Sequence, residues 1–287
     1  MSLQLTGVHT ALVTPMRDGE LDLPAFEAFC EAQIQAGVSG LVPCGTTGEA
    51  ATLNADEWAA VVATAVEVAG GRVPVTAGCG TNNTAKTVHL IEQAIELGAD
   101  AALVVLPYYN KPSPEGHLRN LQAACKPGLP VVAYHVPGRT AQHLPVQQLA
   151  ELCTSVEGII ACKEATGDVH YGSELLTRAP GVNVLSGDDF TFFPLMACGA
   201  HGVISVLSNV APRKTVALAN AVAAGDLTKA RALHHELMPI VHYLFSSSNP
   251  QPAKAFVAAQ GHIANRVRLP LVPHTTPPSA ELLEIAQ

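Results

Sequence analysis

The sequence predicts a (β/α)8 (TIM) barrel with a small α-helical C-terminal extension. Eight short apolar runs rich in β-branched residues recur along the chain, and such runs are typical of parallel strands buried on both faces. Their starts lie roughly 18 to 34 residues apart, which leaves room for a helix in each of the connections. The predicted strands cover residues 8–15, 39–45, 73–79, 101–109, 130–137, 158–165, 183–189 and 201–208.

The connections between these runs have helical signatures. In residues 54–70, Asn54 and Glu57 have the spacing of a capping box, and Gly70 follows a stretch dominated by Ala, Val and Glu. Residues 84–97 repeat the pattern. The alternative fold, a doubly wound sheet, would in its nucleotide-binding form need G-x-G-x-x-G after a strand, and the sequence has no such motif. We therefore favour the barrel.

The segment after the last predicted strand is longer than the single closing helix of a minimal barrel. We predict a catalytic barrel over residues 1–212 and an α-helical extension over residues 213–287 that packs on it. Helices are predicted there at 213–225, 227–245 and 253–264, with a last short helix after a Pro-rich tail.

Composition excludes several classes of protein. Hydrophobic residues make up 48% of the chain and charged residues 14%, which excludes a disordered chain or a coiled coil. The net charge of −8 argues against a nucleic-acid partner. No apolar run is long enough to span a membrane, and the first residues lack the pattern of a secretory signal. The expected location is the cytoplasm.

Neither the cysteines nor the histidines indicate a metal site or a disulfide framework. The seven cysteines are an odd number without a C-x-x-C pair, so we expect small buried hydrophobes rather than disulfides or a zinc site. The twelve histidines include no H-E-x-x-H motif. The sequence therefore predicts no catalytic metal.

Polar residues are concentrated where the predicted strands end, which is where barrel enzymes carry their active sites. Four of the five tyrosines lie in or near this set. The polar residues at strand ends are Thr14, Thr46, Thr47, Glu49, Tyr108, Tyr109, Tyr134, His135, Arg139, Lys163, Glu164 and Asp188.

Lys163 lies inside the apolar run of residues 158–165, where strand alternation is expected to place it on one face with Ile159 and Ala161. Desolvation lowers the pKa of a buried lysine and supplies the neutral amine that a Schiff base requires. The alternative is a lysine that extends to the strand end or pairs with a carboxylate. The Thr, Tyr and Arg residues at neighbouring strand ends favour the catalytic amine.

Two further segments suit an anionic substrate. Thr46 and Thr47 lie in the Gly-bounded turn CGTTGE, whose hydroxyls and amides can bind a small carboxylate. In the segment AYHVPGRT, Tyr134 can pass protons if its hydroxyl is chained to another, and Arg139 offers a planar fork for a carboxylate. Taken alone, the turn could be an ordinary one and Arg139 an ordinary surface arginine.

The motifs GTTGEAATLN, LPYYNKPSPEG, YHVPGRT, KEATGD, LSGDD and HGVISV, followed by NPQPAK and VRLPLVP, occur in this order along nearly the whole chain. Together they resemble the dihydrodipicolinate synthases, the pyruvate-condensing branch of the N-acetylneuraminate lyase superfamily. The resemblance implies a lyase of lysine and diaminopimelate biosynthesis that condenses pyruvate with aspartate semialdehyde without a cofactor. It also implies a homotetramer built from tight dimers.

The resemblance implies a role for each matching residue. Lys163 would form the Schiff base with pyruvate, and Tyr134, Thr46 and Tyr109 would relay protons, with Tyr109 reaching into the neighbouring subunit's site. The residues implied to bind substrate or to line the lysine pocket are Thr47 with Thr46 (pyruvate carboxylate), Arg139 (carboxylate of aspartate semialdehyde), Gly187 and Ile204 (pocket).

The chain departs from the family pattern at positions near the site and at a regulatory pocket. His135 stands where most members have Asn, which we expect to adjust activity without abolishing it. Lys86 stands where lysine-inhibited members have Glu, and Ala55 and Trp58 replace histidines of that pocket. These changes predict weak or absent inhibition by lysine, because Lys86 repels its ammonium groups.

Three alternatives stay open on the sequence alone. An aldolase or dehydratase for 2-keto-3-deoxy sugar acids or sialic acid would use the same Schiff base with a different aldehyde. A metal-dependent barrel hydrolase would lose activity with a chelator and keep it without Lys163. A catalytically silent paralogue would bind without turnover.

Overall fold

The computed structural model describes residues 3–287 and confirms the predicted barrel. Eight parallel strands form one sheet in the order β4-β1-β10-β9-β8-β7-β6-β5, and a parallel bridge between Leu41 and Val75 joins β4 to the start of β5, so that the sheet closes on itself. The strands β2 and β3 form a small antiparallel hairpin outside it. The strands are β1 (Gly7–Ala11), β2 (Met16–Arg17), β3 (Glu20–Leu21), β4 (Gly40–Val42), β5 (Thr76–Gly78), β6 (Ala101–Val105), β7 (Val131–His135), β8 (Ile159–Glu164), β9 (Asn183–Ser186) and β10 (Gly202–Ser205).

Every connection between consecutive barrel strands contains a helix, as the spacing predicts. Four further helices follow β10. The helices are α1 (Leu23–Gln35), α2 (Ala55–Ala69), α3 (Thr84–Glu96), α4 (Pro114–Cys125), α5 (Pro137–Thr140), α6 (Val146–Ser155), α7 (Val169–Arg178), α8 (Phe192–Ala197), α9 (Pro212–Ala223), α10 (Leu227–Leu244), α11 (Gln251–Ala259) and α12 (Ala280–Ile285), with short 3-10 helices at Ala50–Thr52 and Leu207–Asn209.

The local signals place most element ends correctly. At the start of α2 the Asn54 side chain accepts from the Glu57 amide while the Glu57 carboxylate accepts from the Asn54 amide, and Gly70 ends the helix in the left-handed conformation with φ of 52°. The fourth predicted strand is too long, because the chain leaves the sheet after Val105. Pro107 follows two residues later, and it has no amide hydrogen for a sheet ladder.

The core has two layers, one inside the barrel and one between the sheet and the helices. On β8, Ala161 faces the interior, but Ile159 packs in the outer layer, so the expectation that Ile159 and Ala161 share a face with Lys163 is wrong for Ile159. The cause is an irregularity in the register: Val131 is paired with Ile159, and the next residue, Val132, is paired with Ala161. One extra residue on β8 therefore reverses the alternation before Lys163.

Helix α9 begins at Pro212 and packs against β1 and α10, and α10 in turn contacts α11 and α12. The division of the chain at residues 212 and 213 stays a prediction. Among residues 3–287, no helix combines the length and the apolar character needed to cross a membrane.

Candidate active site

The central pair of the site lies on two neighbouring strands. Tyr134 on β7 and Lys163 on β8 are direct partners in the parallel register, and each side chain is buried. The ammonium nitrogen Nζ of Lys163 lies 4.3 Å from the centroid of the Tyr134 ring, on its face. An amine and a phenol are thus held together near the carboxyl ends of the strands, inside a mouth lined mostly by apolar residues.

The electrostatic surroundings favour a neutral amine at Lys163. Burial lowers its pKa from 10.5 to about 8; Asp189 opposes this shift and Arg139 adds to it. None of the ion pairs formed within residues 3–287 includes Lys163. A substantial fraction of this amine is therefore unprotonated near neutral pH and able to attack a carbonyl carbon.

The hydroxyl of Tyr134 is held in its protonated form. Burial raises its pKa to about 12, against the effect of Arg139 and of a side-chain hydrogen bond with Thr46. A phenol that stays protonated and is bonded to a second hydroxyl can donate a proton at one moment and recover it at the next. Thr46 therefore lies near Tyr134, and the proton relay that the resemblance implies for the two residues stays a prediction.

Of the two residues predicted to line the lysine pocket, Gly187 lies against the Lys163 side chain. A Cβ atom at Gly187 would lie 2.9 Å from Cε of Lys163 and 2.7 Å from Cβ of Ala165, so that only glycine leaves this space free. Ile204 on β10 is 1% exposed and belongs to the apolar layer inside the barrel, with Tyr134. These contacts keep the stem of the lysine in one orientation and exclude water from it.

The threonine turn follows β4. Thr46 is half-buried and Thr47 is 3% exposed, and the amides of Gly48 and Ala50 donate to the carbonyl oxygen of Gly45 at 3.1 and 3.3 Å, which closes the turn. The hydroxyl oxygen of Thr47 accepts from Nδ2 of Asn249 at 2.9 Å. The turn presents hydroxyls and backbone amides in the manner that a small carboxylate needs.

Arg139 and Tyr109 differ in how closely they join this group. Arg139 lies on α5, is exposed, and is near enough to lower the pKa of both Tyr134 and Lys163 by its charge. Tyr109 lies in the loop after β6, is 88% exposed and has φ of 71°. Within the described part of this chain Tyr109 is not brought to the other predicted site residues.

Two residues without a role predicted from the sequence, Asp189 and Asn249, lie near the site. Asp189, rather than the predicted Asp188, is the fully buried carboxylate that acts on Lys163, and its oxygens accept from the Ser205 hydroxyl at 2.6 Å and from two backbone amides. Asn249 comes from the C-terminal extension. The motifs LSGDD and NPQPAK carried both residues, but a motif does not show which side chain turns inward.

His135 points to the outer side of the barrel, away from the amine. Its ring centroid lies 5.9 Å from that of Tyr171 and 5.8 Å from that of His143. Neither ring nitrogen has a hydrogen-bond partner among residues 3–287. Burial, and then the nearby His143 and His117, lower the pKa of His135 to about 4. The residue at this departure from the family pattern therefore packs against Tyr171 and His143 and is not in the group around Lys163.

We expect His135 to make the protein sensitive to acid. The unfolded chain takes up a proton on this side chain near pH 6.5 and the folded chain only near pH 4, so stability falls as pH drops through this range. The loss amounts to roughly 3 kcal/mol at the low end. His135→Asn should flatten the dependence of the urea midpoint on pH between 6.5 and 4.

The control is His170→Asn, at an exposed position, which should keep the full dependence of the urea midpoint on pH. An unchanged pH profile in His135→Asn would contradict the prediction.

The comparisons with known proteins agree with this geometry. The model of the "Dihydrodipicolinate synthetase family" matches residues 4–287. A 4-hydroxy-tetrahydrodipicolinate synthase of Maridesulfovibrio salexigens is 45% identical over 93% of this chain and 92% of its own length. A dihydrodipicolinate synthase structure from Thermotoga maritima superposes with a TM-score of 0.92 at 39% identity, covering 98% of this chain and 96% of that one.

A synthase of the same kind from Cyanidioschyzon merolae, solved with lysine bound, has a TM-score of 0.91 at 32% identity, with coverage of 98% of this chain and 96% of that one. The sequence, the closed barrel and the buried pair of Lys163 and Tyr134 therefore lead to one assignment: this chain belongs to the dihydrodipicolinate synthetase family.

Proposed function

We propose that this chain is a lyase that condenses pyruvate with aspartate semialdehyde to 4-hydroxy-tetrahydrodipicolinate, in lysine and diaminopimelate biosynthesis. The relatives named 4-hydroxy-tetrahydrodipicolinate synthase support the reaction. The observation that carries it is the side chain of Lys163, which is buried, without an ion pair, and in contact with the face of Tyr134. We expect the protein to work in the cytoplasm.

The reaction begins with the attack of Nζ of Lys163 on the carbonyl carbon of pyruvate. Water leaves and an iminium forms, with the pyruvate carboxylate bound by Thr46 and Thr47. The hydroxyl chain of Tyr134 and Thr46 donates a proton to the hydroxyl that leaves as water. The Tyr134 phenolate that remains then takes a proton from the methyl group, which the positive nitrogen acidifies, and an enamine is left. The iminium nitrogen is the electron sink, and the chemistry therefore needs neither a metal nor a cofactor.

The enamine carbon then attacks the aldehyde carbon of the second substrate, whose carboxylate is bound by Arg139. The alkoxide that forms takes a proton from the hydroxyl chain of Tyr134. The amino group of the adduct attacks the iminium carbon, a new C–N bond closes the ring, and the bond to Nζ of Lys163 breaks. The ring nitrogen returns a proton to the Tyr134 phenolate. The lysine regains its free amine and the cycle can start again.

We propose that Tyr109 completes the hydroxyl chain of a neighbouring subunit in a tight dimer, and that two such dimers form a homotetramer. The exposed ring of Tyr109, in a loop at the carboxyl ends of the strands, supports this role. An aromatic side chain with so little contact to its own chain is suited to pack against another surface.

The test is a turnover assay with alternative substrates, after trapping of the imine. The protein is incubated with pyruvate and borohydride, and the modified lysine is mapped by mass spectrometry. Condensation of pyruvate with aspartate semialdehyde is then compared with cleavage of 2-keto-3-deoxy sugar acids and sialic acid. An adduct on Lys163 with faster cleavage of a sugar acid would keep the Schiff base and overturn the choice of aldehyde.

The rate of imine formation should depend on the ionisation of Lys163. Only the neutral amine attacks, so the rate of trapping by cyanoborohydride with saturating pyruvate is expected to rise with pH and to level off above its pKa of about 8. The measurement is the yield of the Lys163 adduct at a fixed early time between pH 6 and 10. A midpoint near 10 would show that burial does not shift this amine.

Free lysine should inhibit the enzyme weakly or not at all. Lys86 is exposed at the start of α3 and repels a cation. Trp58 of α2 is buried, and its indole nitrogen donates to the Gly78 carbonyl oxygen at 2.9 Å, so its side chain has no hydrogen-bond acceptor for an ammonium group. Activity is measured with increasing lysine, with Lys86→Glu as the comparison variant, which should be inhibited at lower concentrations. Strong inhibition of the unsubstituted protein by sub-millimolar lysine would refute this expectation.

A further inference from the structure

A fully buried ion pair joins the threonine turn to the C-terminal extension. Glu49 follows Thr47 by two residues, and Nζ of Lys254, on α11, donates to its Oε1 at 2.5 Å. The two side chains are 2% and 0% exposed. The other carboxylate oxygen, Oε2, accepts from the backbone amide of Arg268 at 2.8 Å. Both oxygens of Glu49 are thus occupied by the extension and not by the barrel.

Glu49 is also part of the backbone of the turn. Its amide donates to the carbonyl oxygen of Thr46 at 3.1 Å, and its φ of 55° is in the left-handed region that favours glycine. Glutamate rather than glycine occupies this position because its carboxylate bonds to Lys254 and to the Arg268 amide. The orientation of the Glu49 side chain and the course of the backbone at Thr46 and Thr47 are therefore linked.

The same extension bonds to the turn at a second point, where Nδ2 of Asn249 donates to the hydroxyl oxygen of Thr47. Asn249 lies two residues before α11, and Lys254 lies in the first turn of that helix. The extension therefore holds the turn both at the threonine hydroxyl and at the glutamate carboxylate.

A buried ion pair is a weak source of stability but a strong constraint on geometry. Removing two charges from water costs nearly as much as their attraction returns, and an apolar pair of similar volume often serves stability equally well. Such a pair fixes the relative orientation of its two side chains, because the charged groups tolerate only one arrangement. The pair includes Glu49 of the proposed carboxylate-binding turn, and this position indicates that its role is to orient the turn.

We propose that Glu49 and Lys254 are positioning residues for the reaction, which hold the Thr46–Thr47 turn in the orientation that binds the carboxylate of pyruvate. This inference rests on the proposed function and adds to it a contribution from the C-terminal extension. The pair does not touch the substrate and acts through the backbone of the turn.

The test uses Lys254→Met, Glu49→Gln and the double variant, with Glu57→Gln as a matched control. Glu57 forms the other ion pair between the barrel and the extension, with Arg268 at 2.5 Å, and it does not bond to the turn. Gln at this position also keeps the capping box of α2. The control therefore removes the ion pair of the Arg268 side chain, while the backbone amide of Arg268 that donates to Glu49 and the ion pair of Glu49 with Lys254 are both kept.

The measurements are KM for pyruvate, kcat, the urea midpoint, and reductive trapping of Lys163 with two probes. Pyruvate carries a carboxylate, whereas acetaldehyde forms the same imine without one. Lys254→Met and Glu49→Gln are expected to raise KM for pyruvate roughly 10- to 100-fold and to leave trapping of acetaldehyde on Lys163 unchanged. In Glu57→Gln the urea midpoint falls while KM stays at the value of the unsubstituted protein.

The double variant separates positioning from stability, because it leaves no unpaired charge in the interior. A double variant that regains the urea midpoint but keeps the raised KM supports the proposal. Recovery of KM together with the midpoint, or an equal loss of trapping with both probes, overturns it. If the unsubstituted protein itself gives no pyruvate adduct on Lys163, the proposed function fails, which is a different result from unchanged KM values in the variants.

Discussion

Lys163→Ala is expected to abolish turnover, with a loss of at least ~10⁴-fold in kcat, on the order of the loss when a covalent nucleophile is removed from other enzymes. The one other buried lysine among residues 3–287 is Lys254, which is already paired with Glu49 and cannot take the place of Lys163. The measurement is the initial rate of condensation, together with mass mapping of the borohydride adduct. The pyruvate adduct on this residue should disappear.

The matched control is Lys163→Arg, which keeps the positive charge and most of the side-chain volume but has no nucleophilic amine at pH 7. It should be as inactive as the alanine variant, while Lys214→Ala, at a surface ion pair with Glu236, should keep full activity. An arginine variant with substantial turnover would show that charge, and not covalent bonding, is what the site requires.

Tyr134→Phe should have the second largest effect. The phenyl ring keeps the contact with Lys163 and fills the same buried volume, whereas the hydroxyl that bonds to Thr46 is lost. A proton relay of this kind contributes roughly 10²- to 10⁴-fold to a rate, and kcat is expected to fall by that factor. The urea midpoint should change little, since among residues 3–287 Thr46 is the hydrogen-bond partner that the hydroxyl loses.

Two measurements separate a proton relay from a packing role: the trapping of the imine and the exchange of the methyl protons of pyruvate. In Tyr134→Phe the imine can still form slowly, so that borohydride continues to trap pyruvate on Lys163 while exchange of the methyl protons of pyruvate with deuterated water becomes slow. Exchange at the rate of the unsubstituted protein would contradict the assignment of Tyr134 as the group that moves the proton.

Lys163 and Ile159 show what the alternation of side chains along a strand can and cannot predict. The apolar run around Lys163 correctly predicted a strand, and the high cost of burying a charge correctly singled out the lysine. The register irregularity at the start of β8 was not predictable, because it depends on how Val131 and Val132 of the neighbouring strand pair with it. A pattern with period two holds only while both strands advance together.

The threonine turn shows a second limit. Its Gly-Thr-Thr sequence indicated a carboxylate site, and the structure brings Thr46 to Tyr134. What holds the turn from behind was not visible, because Lys254 lies 205 residues from Glu49 in the chain. Each residue alone is an ordinary charged side chain, and only their burial together makes them unusual.

The amino-acid sequence by itself determined the class of fold and indicated the chemistry of the site. Apolar strand runs, helix caps and a lysine inside an apolar run are all local properties of the chain. The tertiary structure alone decided how that chemistry is tuned: the depth that lowers the pKa of Lys163, the packing that keeps His135 neutral, and the extension that returns to Glu49. Desolvation and long-range ion pairing depend on which atoms surround a group, and that is settled only when distant segments of the chain meet.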